Sequence, residues 1–84
     1  MTEKELIWKI AFRSGRSENE VKLVVDTWIE EIVASLRRYE SVTIRNFGTF
    51  YIREGHGGTS VFKFSPSQRL RKLFGWSSSY KGDV

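Results

Sequence analysis

The sequence predicts an α+β fold: a helical hairpin, a three-stranded antiparallel sheet and a short closing helix. Three observations carry that reading. Apolar residues recur at helical spacing as far as Leu36, the period drops to two between Val42 and Phe64, and serine or threonine caps and glycines mark the boundaries between segments.

The first helix opens at "TEKE", Thr2 to Glu5, a capping box in which Thr2 accepts from a first-turn amide and Glu5 reaches back. Leu6, Ile7, Ile10 and Ala11 fall on one face, and Gly15 supplies a left-handed stop. "SENE", Ser17 to Glu20, repeats the cap and starts a longer helix with the stripe Val21, Val24, Val25, Trp28, Ile29, Ile32, Val33 and Leu36. That stripe is wider than one short neighbour covers, so part of it is expected to pack on a second subunit. The helix should end near Arg37 to Tyr39, where basic residues suit the negative end of its dipole.

From Ser41 the pattern is that of strands. Val42 and Ile44 alternate with Thr43 and Arg45, then Phe50 and Ile52 with Tyr51 and Arg53, and Asn46 and Gly48 accept the positive φ that lets the chain reverse. After "GHGG", a third strand sets Phe62 and Phe64 inward and Val61 and Lys63 outward. One face is thus apolar and the other carries Arg45, Tyr51, Arg53 and Lys63. "SPSQ" is read as the start of the last helix, with Ser65 as cap and Pro66 in its first turn. Leu70, Leu73 and Phe74 would face in, Arg69, Arg71 and Lys72 out, and Gly75 would end it. Residues 1–75 are expected to form one domain and 76–84 a polar, mobile tail.

An 84-residue chain buries a modest core, and without cysteine it has neither disulfides nor thiolate metal sites. Dimerisation is the expected source of the missing core. The formal charge is +4, unevenly spread: residues 1–40 carry seven Lys/Arg and eight Asp/Glu, or −1, whereas residues 41–76 carry six and one, or +5. A cationic second half points to a polyanion such as nucleic acid. The acidic residues and interrupted apolar pattern of "MTEKELIWKI" match neither a secretory signal nor a membrane span, so a cytoplasmic location is expected and no membrane partner.

The order of elements, with "MTEKELIWKIA", "SENEVKLVVDTWIEEIVASL", "VTIRNFGTF" and "VFKFSPSQRLRKL", closely resembles the bacterial HU and integration host factor family of nucleoid DNA-binding proteins. The resemblance implies an intertwined homodimer, or a heterodimer with a paralogue, whose sheets form a saddle on double-stranded DNA. It also implies long β-arms that wrap the minor groove and insert a proline. Where the arm and its Arg-Asn-Pro tip belong, this chain has only "EGHGGTS", so a short hairpin replaces the arm and bending by intercalation is not expected. Lysines that such proteins carry along the flanks correspond here to Glu3, Glu18 and Gln68, Asn46 stands for the usual glycine, and Tyr39 stands where glycine often ends the second helix.

Arg45, Tyr51, Arg53 and Lys63 are therefore candidate phosphate contacts, with a plain solvated sheet face as the alternative. Arg69 and Lys72 join them from the last helix, together with Arg71, though a short amphipathic helix needs a polar side in any case. Trp8 and Phe12 lie i, i+4 and about 150° from the apolar stripe of their helix at 100° per residue. They are read either as covered by the tail, through Trp76 or Tyr80, or as a protein interface. His56, the one histidine, sits between glycines with no partner in sequence and is read as a loop residue. No nucleophile–base pair, metal-ligand spacing or phosphate loop is found, so no catalysis, cofactor, metal or small-molecule substrate is expected.

The leading expectation is sequence-independent binding of duplex DNA, weak and salt-sensitive, by an armless dimer in the nucleoid. The alternative, from a different class, is the same fold reused as an interaction or assembly module, for instance a phage structural component in a virion or the partner of an armed relative.

Overall fold

The computed structural model describes residues 1–75; the expected tail at 76–84, with Trp76 and Tyr80, lies outside the described residues. The elements run α1 (Glu3–Ser14), α2 (Glu18–Arg37), β1 (Val42–Ile44), β2 (Gly48–Glu54), β3 (Ser60–Pro66) and α3 (Gln68–Phe74), with a single 3-10 turn, His56–Gly58, between β2 and β3. Two compact units result, Met1–Val33 and Ala34–Val84.

In the first unit both caps form as the sequence demands. The Glu5 amide donates to Thr2 Oγ1 at 3.2 Å, and the Thr2 hydroxyl in turn donates to Glu5 Oε1 at 3.4 Å, so Glu5 closes the box through the hydroxyl rather than through the backbone. At Ser17 the box is reciprocal: Glu20 N–H to Ser17 Oγ and Ser17 N–H to Glu20 Oε1, each 3.1 Å. Such caps contribute about 0.5–2 kcal/mol each. Donation from the Ser17 backbone N–H, and secondarily from the Ser17 hydroxyl, holds the Glu20 carboxyl below the usual carboxylate range. Gly15, at φ 70°, ends α1 with its amide on Ala11 O.

The core here is narrow: Ile7, Ala11 and Val21 are buried and Val25 packs on them. Leu6 and Ile10, expected on the same face, stay exposed, because the single neighbouring helix covers only the strip through Ile7 and Ala11. Along α2 the expected breadth of stripe is present. Val24, Trp28, Ile29 and Val33 are exposed, whereas Val21 and Leu36 are buried.

In the second unit α2 stops at Arg37, and Tyr39, at φ 58°, turns the chain toward the sheet. Its hydroxyl lies 2.9 Å from Ser60 Oγ. The sheet has the order β1-β2-β3, antiparallel throughout. Its apolar face carries Phe50, with Phe64 and Phe62 at centroid distances of 5.0 and 5.8 Å, and Phe47 beside Phe64 at 5.3 Å. Phe47 is exposed and Phe50, Phe62 and Phe64 are only partly exposed, so the face is incompletely covered.

Gly48 is required where β2 meets β3: a Cβ there would stand 2.5 Å from Ser65 O and 2.7 Å from the Phe64 ring. Between β2 and β3 only Gly55 to Thr59 intervene, closed by Gly55 N–H to Thr59 O at 2.6 Å.

Two expectations are corrected in this unit. Pro66 does not start the last helix; it is the final residue of β3, paired with Gly48 and fully buried, and Ser67 is the cap, accepting from Leu70 N–H at 3.3 Å. Extending the ladder by Ser65 and Pro66 outweighs a cap at Ser65, and β3 is an edge strand, where proline is tolerated. In α3 the strip turned inward is Ser67, Leu70 and Arg71, while Leu73 and Phe74 are 66% and 58% exposed rather than buried. α3 is tied to the sheet at its start, through Ser67 N–H to Phe47 O, and its last residues, Leu73 and Phe74, are left exposed.

Candidate nucleic-acid interface

The register of the sheet decides which candidates share a surface. Tyr51 pairs with Lys63, Arg53 with Val61 and Thr49 with Ser65, while Thr43 pairs with Thr49. Directly paired residues in an antiparallel sheet project to the same side, so Tyr51, Arg53 and Lys63 stand together on the face opposite the phenylalanines. Lys63 has Tyr51 directly across and Arg53 on the diagonal, typically about 7–8 Å away. Tyr51 and Lys63 are half-buried, and Arg53 is exposed.

Arg45 is the exception among the four. It is not in a strand: β1 stops at Ile44, and Arg45 and Asn46 form the middle of a turn closed by Phe47 N–H to Ile44 O at 3.0 Å, with Asn46 at φ 62°. The alternation that includes Arg45 in the strand is broken by this positive φ. Its side chain is exposed at the end of the sheet. The same turn receives α3, since Ser67 N–H donates to Phe47 O at 2.9 Å.

On α3, Arg69 and Lys72 are exposed and three residues apart, hence on one face. Arg71 is half-buried, with Nε enclosed and no hydrogen-bond partner among the described residues. The candidate cations of this unit thus come from three places, the outer sheet face, the β1–β2 turn and the outer side of α3, beside Arg37 and Arg38 at the end of α2. The acidic exception among its strands is Glu54, at the hairpin end of β2.

Thr43 and Thr49 were not singled out by the sequence, yet their hydroxyls meet at 3.0 Å on the same outer face. Period-two counting back from Tyr51 reaches Thr49, whereas Thr43 lies beyond the β1–β2 turn and joins it only through the pairing of the two strands. Hydroxyls of this kind can donate to phosphate oxygens and so extend the cationic strip with neutral contacts.

Trp8 and Phe12 belong to the other unit. Their rings stack at 5.8 Å with an interplanar angle of 20°, and 55% and 79% of their surfaces are exposed. Gly57 and Gly58 at the hairpin tip both take positive φ. Among the described residues no cluster of three His, Cys, Asp or Glu could hold a metal ion, and no helix is long and apolar enough to cross a membrane.

Residues 1–61 match the sequence model of a family described as bacterial DNA-binding protein. DNA-binding protein HU of Thermotoga maritima is 43% identical over 54 residues, 64% of this chain and 60% of that protein. Integration host factor subunit alpha of Bordetella avium is 39% identical over 54 residues, 64% of this chain and 47% of the relative. The match therefore spans about half to three-fifths of these relatives' length. Among solved structures, a point mutant of the Thermotoga maritima HU superposes with a TM-score of 0.80 at 36% identity, covering 87% of this chain and 97% of the other. An Anabaena HU crystallised with DNA shares the fold at a TM-score of 0.75 and 23% identity, over 87% of this chain and 96% of that one.

Proposed function

The chain belongs to the bacterial DNA-binding protein family of HU and integration host factor, and from that premise we propose that it binds double-stranded DNA without sequence preference, as a dimer, through the outer face of its sheet. The observation that carries this reading is the register that sets Tyr51 against Lys63 with Arg53 on the diagonal, on the side of the sheet away from the phenylalanines. Arg45 extends the strip from the turn, and Arg69 and Lys72 flank it from α3.

Dimerisation follows from what the chain leaves uncovered. In the ring layer Phe47 is exposed and Phe50, Phe62 and Phe64 keep part of their surface open, and Val24, Trp28, Ile29 and Val33 stand exposed along α2. Burying a side chain of this size is worth about 1.5–3 kcal/mol. A second copy, or a paralogue of the same build, supplies that cover and doubles the cationic strip into a concave cradle. Neither cofactor nor catalytic step enters: the work is phosphate neutralisation, which fits a protein of the cytoplasmic nucleoid.

Sharp bending is outside its repertoire. Kinking DNA from the minor groove requires an apolar wedge at the tip of a reaching arm. Here β2 and β3 are joined by five residues, Gly55 to Thr59, and the chain's one proline, Pro66, is buried at the end of β3. Contacts are correspondingly few, and affinity should fall near the non-specific range of about 10⁻⁴ to 10⁻⁶ M at physiological salt.

Fluorescence anisotropy on a labelled duplex across a salt series tests the proposal. Binding that weakens steadily with salt supports it. No binding even at low salt would refute it and leave the fold as a protein assembly module.

A further inference from the structure

We propose that Tyr39 is a positioning residue for the DNA cradle: its hydroxyl, joined to that of Ser60, holds the hairpin end of the sheet so that Tyr51, Arg53 and Lys63 meet phosphate as a fixed array. The inference rests on the reading of the outer sheet face as the DNA surface, and it adds a residue that acts without touching phosphate itself.

Strand lengths create the need. β1 pairs with β2 only from Ile44–Gly48 to Val42–Phe50, whereas β2 and β3 stay paired from Gly48–Pro66 to Glu54–Ser60. From Tyr51 onward the sheet is therefore a ribbon of two strands, and Tyr51, Arg53 and Lys63 all stand on it. A two-stranded hairpin is marginally stable in water by itself. Cations on so slight a support keep a fixed spacing only if the far end of the ribbon is held.

Tyr39 supplies that hold. It lies between α2 and β1, and its hydroxyl reaches Ser60 Oγ, 21 residues further along the chain, at 2.9 Å. Ser60 begins β3 and is paired with Glu54, the last residue of β2, so the tie is made at the hairpin end of the ribbon. Side chains alternate along β3, which puts Ser60 on the side of Phe62 and Phe64. The tie thus leaves the outer face, with Arg53 and Lys63, open to DNA.

The backbone at Tyr39 fits the same role. Glu40 N–H donates to Ser35 O and Tyr39 N–H to Leu36 O, each at 3.0 Å, closing α2 in a Schellman motif with Tyr39 at its left-handed position, φ 58°. Those bonds anchor the tyrosine to the last turn of α2. Glycine takes this position without steric cost, and a bulky side chain there is an outlier that persists where the surroundings compel it. The bond to Ser60 is one that glycine could not make.

Amide hydrogen exchange on the full chain without DNA, read by nuclear magnetic resonance beside anisotropy titrations on a duplex, provides the test. A neutral hydrogen bond shifts a local equilibrium roughly two- to tenfold. Tyr39→Phe, which deletes one oxygen, should speed exchange about fivefold at the ladder amides of residues 51–54 and 60–63, with β1, α1 and the thermal midpoint close to wild type. A surface held for less of the time binds more weakly by that fraction, so affinity for the duplex should fall roughly two- to fivefold. The slope of log K against log salt should not change, because no charge is lost. Ser60→Ala should reproduce both effects, Ser60→Thr, which keeps a hydroxyl, should show neither, and Tyr39→Phe with Ser60→Ala should lose no more than either alone.

Ribbon exchange at the wild-type rate in Tyr39→Phe would overturn the proposal. So would faster exchange with undiminished affinity, or additive losses in the double variant, which would make the two hydroxyls separate contacts. Failure of the DNA reading looks different: wild type itself would not bind the duplex, which removes the positioning role, while exchange in the free chain would still report whether the tie holds the ribbon.

Discussion

Replacing Arg45 and Arg53 together by alanine should cut the salt dependence of DNA binding to about a third. The magnitude follows from counting the cations at the cradle: Arg45 in the β1–β2 turn, and Arg53 and Lys63 on the outer sheet face, three per chain and six per dimer. Each phosphate neutralised contributes about 0.9 to the slope of log K against log salt, so six contacts give a slope of about −5.4. The double variant keeps only Lys63 of each copy, two contacts and a slope of about −1.8. Between 50 and 200 mM salt, wild-type affinity should therefore fall about 2000-fold, and that of the variant only about tenfold. Anisotropy titrations of a fluorescent duplex at four or five salt concentrations read both slopes directly. Both residues are exposed and neither is in an ion pair among the described residues, so circular dichroism and thermal midpoint should hardly change. A variant slope equal to that of wild type would refute the assignment, and a loss of the same size from Arg69→Ala with Lys72→Ala would move the contact to α3.

Three further outcomes test the fold that positions this surface. Gly48→Ala places a methyl group 2.5 Å from Ser65 O, a backbone atom that cannot retreat without breaking the β2–β3 register; it should cost about 3 kcal/mol or more in urea unfolding, above Gly57→Ala, whose Cβ meets open space and whose cost of about 1–2 kcal/mol is that of φ alone. Asn46→Gly should be close to neutral and Asn46→Val should destabilise by about 1–3 kcal/mol, since φ 62° is strained for a β-branched residue. Glu20, with its carboxyl held below the usual value by Ser17, binds fewer protons folded than unfolded in the acid range. Its contribution is complete above the unfolded value and disappears as pH falls through the folded one. Glu20→Gln, which preserves the cap, should flatten the acid limb of the thermal midpoint against pH.

The helical part of the fold was the more legible in sequence, because its signals are local. Thr2 and Ser17 announce their helices through side chains that bond within three residues, and Gly15 stops α1 through its own φ. The sheet was legible in its alternation but not in its ends. Arg45 reads as a strand residue until the turn bond from Phe47 to Ile44 is known, and that bond depends on how Asn46 is held. "SPSQ" offers two serines able to cap a helix; the choice of Ser67 is made by Pro66 pairing with Gly48, eighteen residues away.

The candidate site divides the same way. Tyr51, Arg53 and Lys63 share a face because register obeys period two, which sequence alone can count. The hydroxyl pair of Thr43 and Thr49, and the tie between Tyr39 and Ser60, join residues from different elements and carry no local mark. The stack of Trp8 on Phe12 follows from spacing alone, whereas its exposure depends on what the rest of the chain leaves uncovered.

The central claim is that DNA lies on the outer face of the sheet, and backbone amide shifts followed by nuclear magnetic resonance during titration with a short duplex test it most directly. The account expects perturbations concentrated in Arg45, in Thr49 to Arg53 and in Val61 to Ser65, reversed by added salt, with α1 unmoved. Shifts gathered on Trp8 and Phe12, or none along β2 and β3, would contradict it.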